Sequence, residues 1–185
     1  MTTIFQKLLD HSYQMGNYIE NEIANNSTDR LTWKTTPETW SVVEIIEHLN
    51  KVYDQYLENF EKAITTAPLL DEKNKYRRQR TLLGRVSIYS MRPKGNKRRF
   101  KMKTFDFFQP RIDVDQTNEV IHSFLKKKEQ FNSLIVEAQT KNLHGIKIPT
   151  ALGENVKFYI PECFEFILVH EERHMLQISE LLETV

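Results

Sequence analysis

His170-Glu171-Glu172-Arg173-His174 lies inside a longer apolar run, with eleven residues following it. Cys163, Ile167, His170, His174, Ile178 and Leu181 fall on one narrow stripe at about 100° per residue, the period of an amphipathic helix. Positions i and i+4 stand one turn apart on the same face, so both imidazoles point one way. Two imidazoles on a core-facing stripe need partners, because a buried polar group without one is costly. Either each is satisfied separately in the core or its rim, or both reach one metal ion at about 2.0–2.1 Å. Two at this spacing, with a third candidate upstream, favour the ion.

Three further stretches carry the helical period. Residues 3–25 place Phe5, Leu8, Leu9, Ser12, Met15, Ile19 and Ile23 at three- and four-residue steps. The second helix opens on Trp40-Ser41, where Ser41 caps the first turn, Glu44 closes a capping box, and Trp40 with Ile45 forms a hydrophobic staple. It runs on through Ile46, Leu49, Val52, Tyr53, Tyr56, Leu57, Phe60 and Ile64. The third spans about 116–141 on Val120, Ile121, Phe124, Phe131, Leu134, Ile135 and Ala138, with Lys126-Lys127-Lys128 mostly outward. Gly145 then supplies a left-handed stop, two short extended pieces follow, and the fourth helix starts near Pro161 and ends near Leu182. Residues 67–114 are a long connection whose only helical candidate is Leu82–Tyr89. Its aromatics, Phe100 to Phe108, are expected to pack on the core while the interleaved lysines stay solvated. Four long amphipathic helices with one long crossover between the second and third describe an all-α four-helix bundle.

At 185 residues the chain suits one domain, residues 1–185. With 39% hydrophobic and 28% charged residues it has ordinary globular composition. No run approaches the roughly 20 apolar residues of a membrane span, and the N-terminus has no signal-peptide pattern. The one cysteine, Cys163, excludes an internal disulfide framework, so a cytoplasmic location is expected. Net charge of +1 conceals a polarity. Lys73 to Arg111 holds 14 Lys/Arg against Asp106 alone, leaving 12 basic and 24 acidic residues elsewhere. Such a segment serves either internal complementarity or an anionic ligand. Its basic-aromatic mixture also occurs in nucleic-acid binders, but packing is the stronger reading, and a nucleic-acid partner is not expected.

His48 falls inside the second helix's stripe and can meet His170 and His174 across the core. Three neutral imidazoles with an open fourth position make a catalytic-type site, and imidazole suits zinc, nickel, iron or manganese to different degrees. Glu44, one turn before His48, either orients its second ring nitrogen or serves only the cap. Gln177 either bonds a water or ligand beside His174 or is an ordinary surface glutamine. Glu171 is either a general base or a charge at the helix edge. His170-Glu171-x-x-His174 also fits the zincin protease pattern, but eleven following residues leave no room for that scheme's downstream ligand.

Trp40-Ser41-x-x-Glu44-x-x-Glu47-His48-Leu49, together with His170-x-x-Arg173-His174-x-x-Gln177 and a Phe-Gln-Pro turn closing the basic connection, resembles the DinB-like/YfiT-like superfamily. The resemblance spans most of the chain. It implies an up-down-down-up bundle with a three-histidine metal site, often zinc or nickel, to which His48, His170 and His174 correspond. Some members are thiol S-transferases using bacillithiol, mycothiol or glutathione, others are described as metal-dependent hydrolases, and many dimerise. The leading expectation is therefore an enzyme that activates a low-molecular-weight thiol for transfer to a small-molecule electrophile. Metal-dependent hydrolysis with Glu171 or Glu44 as base, and a non-enzymatic stress-related binding module, are the alternatives.

Overall fold

A computed structural model describes residues 3–71, 79–98, 100 and 104–184. Four long helices carry it: α1 (Ile4–Tyr18), α3 (Val42–Thr65), α5 (Thr117–Ala138) and α6 (Ile160–Leu182). Between them lie the short α2 (Thr28–Thr32) and α4 (Leu82–Met91), and a hairpin of β1 (Lys147–Thr150) and β2 (Gly153–Tyr159). α1 and α3 each pack against both α5 and α6, and α4 lies on α6. α1 continues past Tyr18 through a π-helical turn, Ile19–Ile23, that keeps Ile19 and Ile23 in the core.

The capping signal at Ser41 is realised as read. The Ser41 hydroxyl accepts the Glu44 N–H at 3.3 Å, and the Glu44 carboxylate accepts the Ser41 N–H at 2.8 Å. Below that start, one face of α3 buries Ile45, Ile46, Leu49, Tyr53, Tyr56 and Phe60. Phe60 stacks on Phe164 of α6 with centroids 4.2 Å apart, and Phe131 of α5 meets both edge-on. This aromatic knot joins three of the four long helices, and burying each ring removes 150–250 Å² from water.

α5 departs from its expected pattern at one position. Lys128, read as outward, is buried between Phe124 and Phe131, one turn from each. Its ammonium donates to both carboxylate oxygens of Glu171, at 2.8 and 2.6 Å, and the Tyr53 hydroxyl donates to the same carboxylate at 2.9 Å. A cation on an apolar stripe is tolerable only with such a partner, and α6 supplies it.

The connection after α3 is anchored at its start and at α4. Leu70 donates to the Thr140 carbonyl and Asn142 to that of Pro68, each at 2.8 Å, which ties the end of α3 to the end of α5. α4 docks through Gly84, where an added Cβ would lie 2.3 Å from the Glu162 carboxylate. That carboxylate accepts the Thr81 N–H at 2.9 Å and reaches back to the Tyr159 N–H, so it cannot swing away freely. The aromatics of the connection do not follow expectation: Phe108 is buried, but Phe100, Phe105 and Phe107 are exposed. Phe105 and Phe107 stack on each other at 5.6 Å instead. Lys73, Lys75, Arg77, Arg78, Arg99, Lys101 and Lys103 of the basic segment, with Met102, lie outside the described residues. Three of its described arginines bond α6: Arg80 and Arg92 both bond Glu165, and Arg98 bonds Glu180 at 2.6 Å, while Arg85 and Arg111 are exposed. No described helix is long and apolar enough to cross a membrane. Gly145 sits at φ 81°, where a left-handed stop was expected, although α5 itself already ends at Ala138.

Candidate metal centre

His48, two turns into α3, and His170 and His174, mid-way along α6, turn their rings toward one point. Their Nε2 atoms approach to 3.3 Å (His48–His170) and 3.1 Å (His170–His174), and all three ligand atoms fall within 4.8 Å of one another. At Zn–N distances of about 2.0–2.1 Å, two nitrogens of a tetrahedral site stand about 3.3 Å apart. The separations therefore match a shared ion.

The tautomers point the same way. The His48 Nδ1 lies 3.0 Å from the Phe108 carbonyl, which can only accept, so Nδ1 carries the proton and Nε2 keeps its lone pair. The His174 Nδ1 likewise faces the amide oxygen of Gln177 at 3.2 Å. Two inward lone pairs thus meet His170, whose Nε2–H can satisfy only one of them. The remaining orphan acceptor is what a cation would relieve, and the residues fit the group. Burial is the main cause that lowers the pKa of all three imidazoles; for His170 and His174, the neighbouring rings and Arg173 add to it. Neutral imidazole is the form that binds metal.

Trp40 closes one side, its ring 5.1 Å from that of His48 and 6.4 Å from that of His174. The histidines open on a cavity of about 1020 Å³, shared with Tyr56, Phe108, Phe166 and Arg173. Gln177 lines it as well.

Two expected roles are otherwise occupied. Glu44 does not orient His48; the Phe108 carbonyl does, while the Glu44 carboxylate holds the Lys34 ammonium at 2.7 Å and the Ser41 N–H. Glu171, one residue past His170, points about 100° round the helix into the Lys128–Tyr53 cluster. Sequence reasoning missed Phe108 because a backbone acceptor sixty residues from its histidine leaves no side-chain signature. Trp40 had a signal, its place directly before the cap, but was read as a staple. His122 and His144 are exposed, and His144 meets Gln79 at 3.2 Å. Cys163 is fully buried, its thiol raised above the ordinary pKa by burial, and is no nucleophile.

A mostly helical chain whose two longest helices bring three histidines to one wall of a cavity defines a candidate metalloprotein. Residues 13–178 match the DinB superfamily, and the chain belongs to it. It is similar to the uncharacterized protein YuaE of Bacillus subtilis (strain 168), 21% identical over 165 residues that cover 89% of this chain and 91% of YuaE. No solved structure matches the chain at a significant level.

Proposed function

We propose that this protein is a metal-dependent thiol S-transferase acting on a small-molecule electrophile. The observation that carries the proposal is the convergence of three inward-facing Nε2 atoms on a cavity large enough for two small reactants. His48, His170 and His174 would hold a divalent ion, zinc or nickel. Such an ion supplies positive charge that favours the thiolate form of an entering thiol. The chain's own residues do the rest. Phe108 and Gln177 fix the tautomers that present the lone pairs, and Trp40 shields the rings from bulk water. In the reaction the thiolate sulfur bonds to an electrophilic carbon, the leaving group departs with its electron pair, and the thiol proton passes to solvent. The basic segment would attract an anionic thiol of the bacillithiol or glutathione type.

Hydrolysis is the weaker reading, because a base is required and the carboxylates of Glu44 and Glu171 are already bonded elsewhere. The same proposal includes the up-down-down-up arrangement of the four long helices, one domain across residues 1–185, a cytoplasmic location and association as a homodimer. The pairing of α1 and α3 with both α5 and α6 supports the first of these.

The test incubates metal-loaded protein with a panel of thiols and 1-chloro-2,4-dinitrobenzene. A rate that needs both thiol and metal, and that disappears in His48→Ala, is expected. A rate no greater than that of His48→Ala with every thiol would refute the transferase reading, and turnover without thiol would favour hydrolysis.

A further inference from the structure

Arg173 stands three residues after His170 and one before His174, on the stretch of α6 that lines the cavity. It is 7% exposed, among the most buried cations of the chain. Its Nη2 donates to the Phe100 carbonyl, but its Nη1 is buried and has no hydrogen-bond partner among the described residues. No ion pair reaches it among the described residues. Glu180, which shares the cavity wall, gives its carboxylate to Arg98. Lys128, also buried, has the Glu171 carboxylate beside it. Arg173 has nothing equivalent, and leaving a buried guanidinium uncompensated is costly. Lys97 and Arg98 line the same cavity and add positive charge rather than relieving it.

From this unpaired guanidinium we infer that Arg173 is an anion-binding residue of the cavity, and that the ligand it receives is a small molecule bearing a carboxylate. A carboxylate offers the planar acceptor pair that suits a guanidinium edge. Just under one helical turn, about 4.5 Å of axial rise for three residues, separates Arg173 from His170. A ligand anchored at Arg173 therefore needs only a few bonds to place a second group at the three imidazoles. This deepens the transferase reading by naming how the small reactant is held, yet it does not require an ion at the histidines.

The experiment uses that independence. Succinate, its uncharged analogue succinamide, and inorganic phosphate are titrated calorimetrically at constant ionic strength into chelator-treated wild-type, Arg173→Lys and Arg173→Gln protein. Circular dichroism and thermal melting accompany each variant. Wild type is expected to bind succinate and not succinamide, with affinity falling at least tenfold in Arg173→Gln and less in Arg173→Lys. Arg173→Gln is expected to melt no lower than wild type, because it removes an uncompensated buried charge. Equal succinate binding by wild type and Arg173→Gln, absence of binding by wild type, or tighter binding of phosphate than of succinate would overturn the inference. Succinate binding lost on Arg173→Gln, in protein that shows no thiol-transfer activity when metal-loaded, would uphold this inference and reject only the transferase reading.

Discussion

A histidine is read differently according to what its second nitrogen meets. His48 and His174 each spend Nδ1 on an oxygen, from the Phe108 backbone and the Gln177 side chain, and so present Nε2 inward. Removing such an orienting partner typically costs 10–100-fold in metal affinity. Gln177→Leu should therefore weaken zinc binding by about that factor in a competition titration, while melting of the metal-free protein is nearly unchanged. His170→Ala, which removes the ring whose Nε2 lies 3.3 and 3.1 Å from those of the other two, should abolish stoichiometric metal in elemental analysis of tag-free protein. His11 behaves otherwise. It lies 3.7 Å from Glu172, yet burial outweighs that carboxylate and holds its pKa below the ordinary 6.5. The unfolded chain then takes up the proton first, so a penalty grows as pH falls from 6.5 to the lowered value. His11→Gln should flatten the acid side of the melting-temperature curve, and the imidazole should titrate below 6.5 by NMR. Of these histidines the sequence showed that His48, His170 and His174 lie on core-facing helix stripes; it could not show Phe108, because backbone oxygens are present at every position.

Elements were legible where a local device writes them. Ser41 with Glu44 placed the start of α3, and Pro161 with the Cys163–Leu181 stripe placed α6 to within a residue at its start. Legibility failed where a side chain's role depends on another helix. Lys128 looks like the third of three solvent lysines until its position between Phe124 and Phe131 is set against Glu171, which lies on the buried side of α6. Both residues carried the signal, a charge on an apolar stripe, and only together do they explain each other. Breaking such a buried pair by removing one member costs about 3–5 kcal/mol, whereas replacing both by apolar groups can be neutral. Lys128→Met should therefore destabilise the protein by about that amount in urea unfolding, and Lys128→Met with Glu171→Leu should recover most of it. Failure of the double variant to recover would mean that Tyr53 needs the carboxylate as much as Lys128 does. Gly84 is the analogous case between α4 and α6. A methyl there meets a carboxylate already bonded to Thr81, so Gly84→Ala should cost about 1–3 kcal/mol despite the better helix propensity of alanine.

Charge polarity across the whole molecule left two readings open, internal complementarity or an outside anion, and different residues answer to each. Arg80 and Arg92 converge on Glu165, and Arg98 on Glu180, so three of the seven described cations of the basic segment are paired with carboxylates of α6. Arg173, outside that segment, is a buried cation with no carboxylate partner among the described residues. The described part of the segment therefore works first as a strap, holding Arg80, Arg92 and Arg98 against α6, and an exposed nucleic-acid surface is the less economical account of its charge. Exposed ion pairs contribute about 0.2–1 kcal/mol each, but Glu165 is mostly buried and serves two arginines, which places its loss toward the upper end. At about 2–4 °C per kcal/mol for a chain of this size, Glu165→Gln should lower the melting temperature by a few degrees in dilute buffer. The deficit should shrink in 1 M NaCl, where the Debye length falls to about 3 Å. A deficit that ignores salt would show that Glu165 acts through packing, and the basic segment would then need an external anion to balance it.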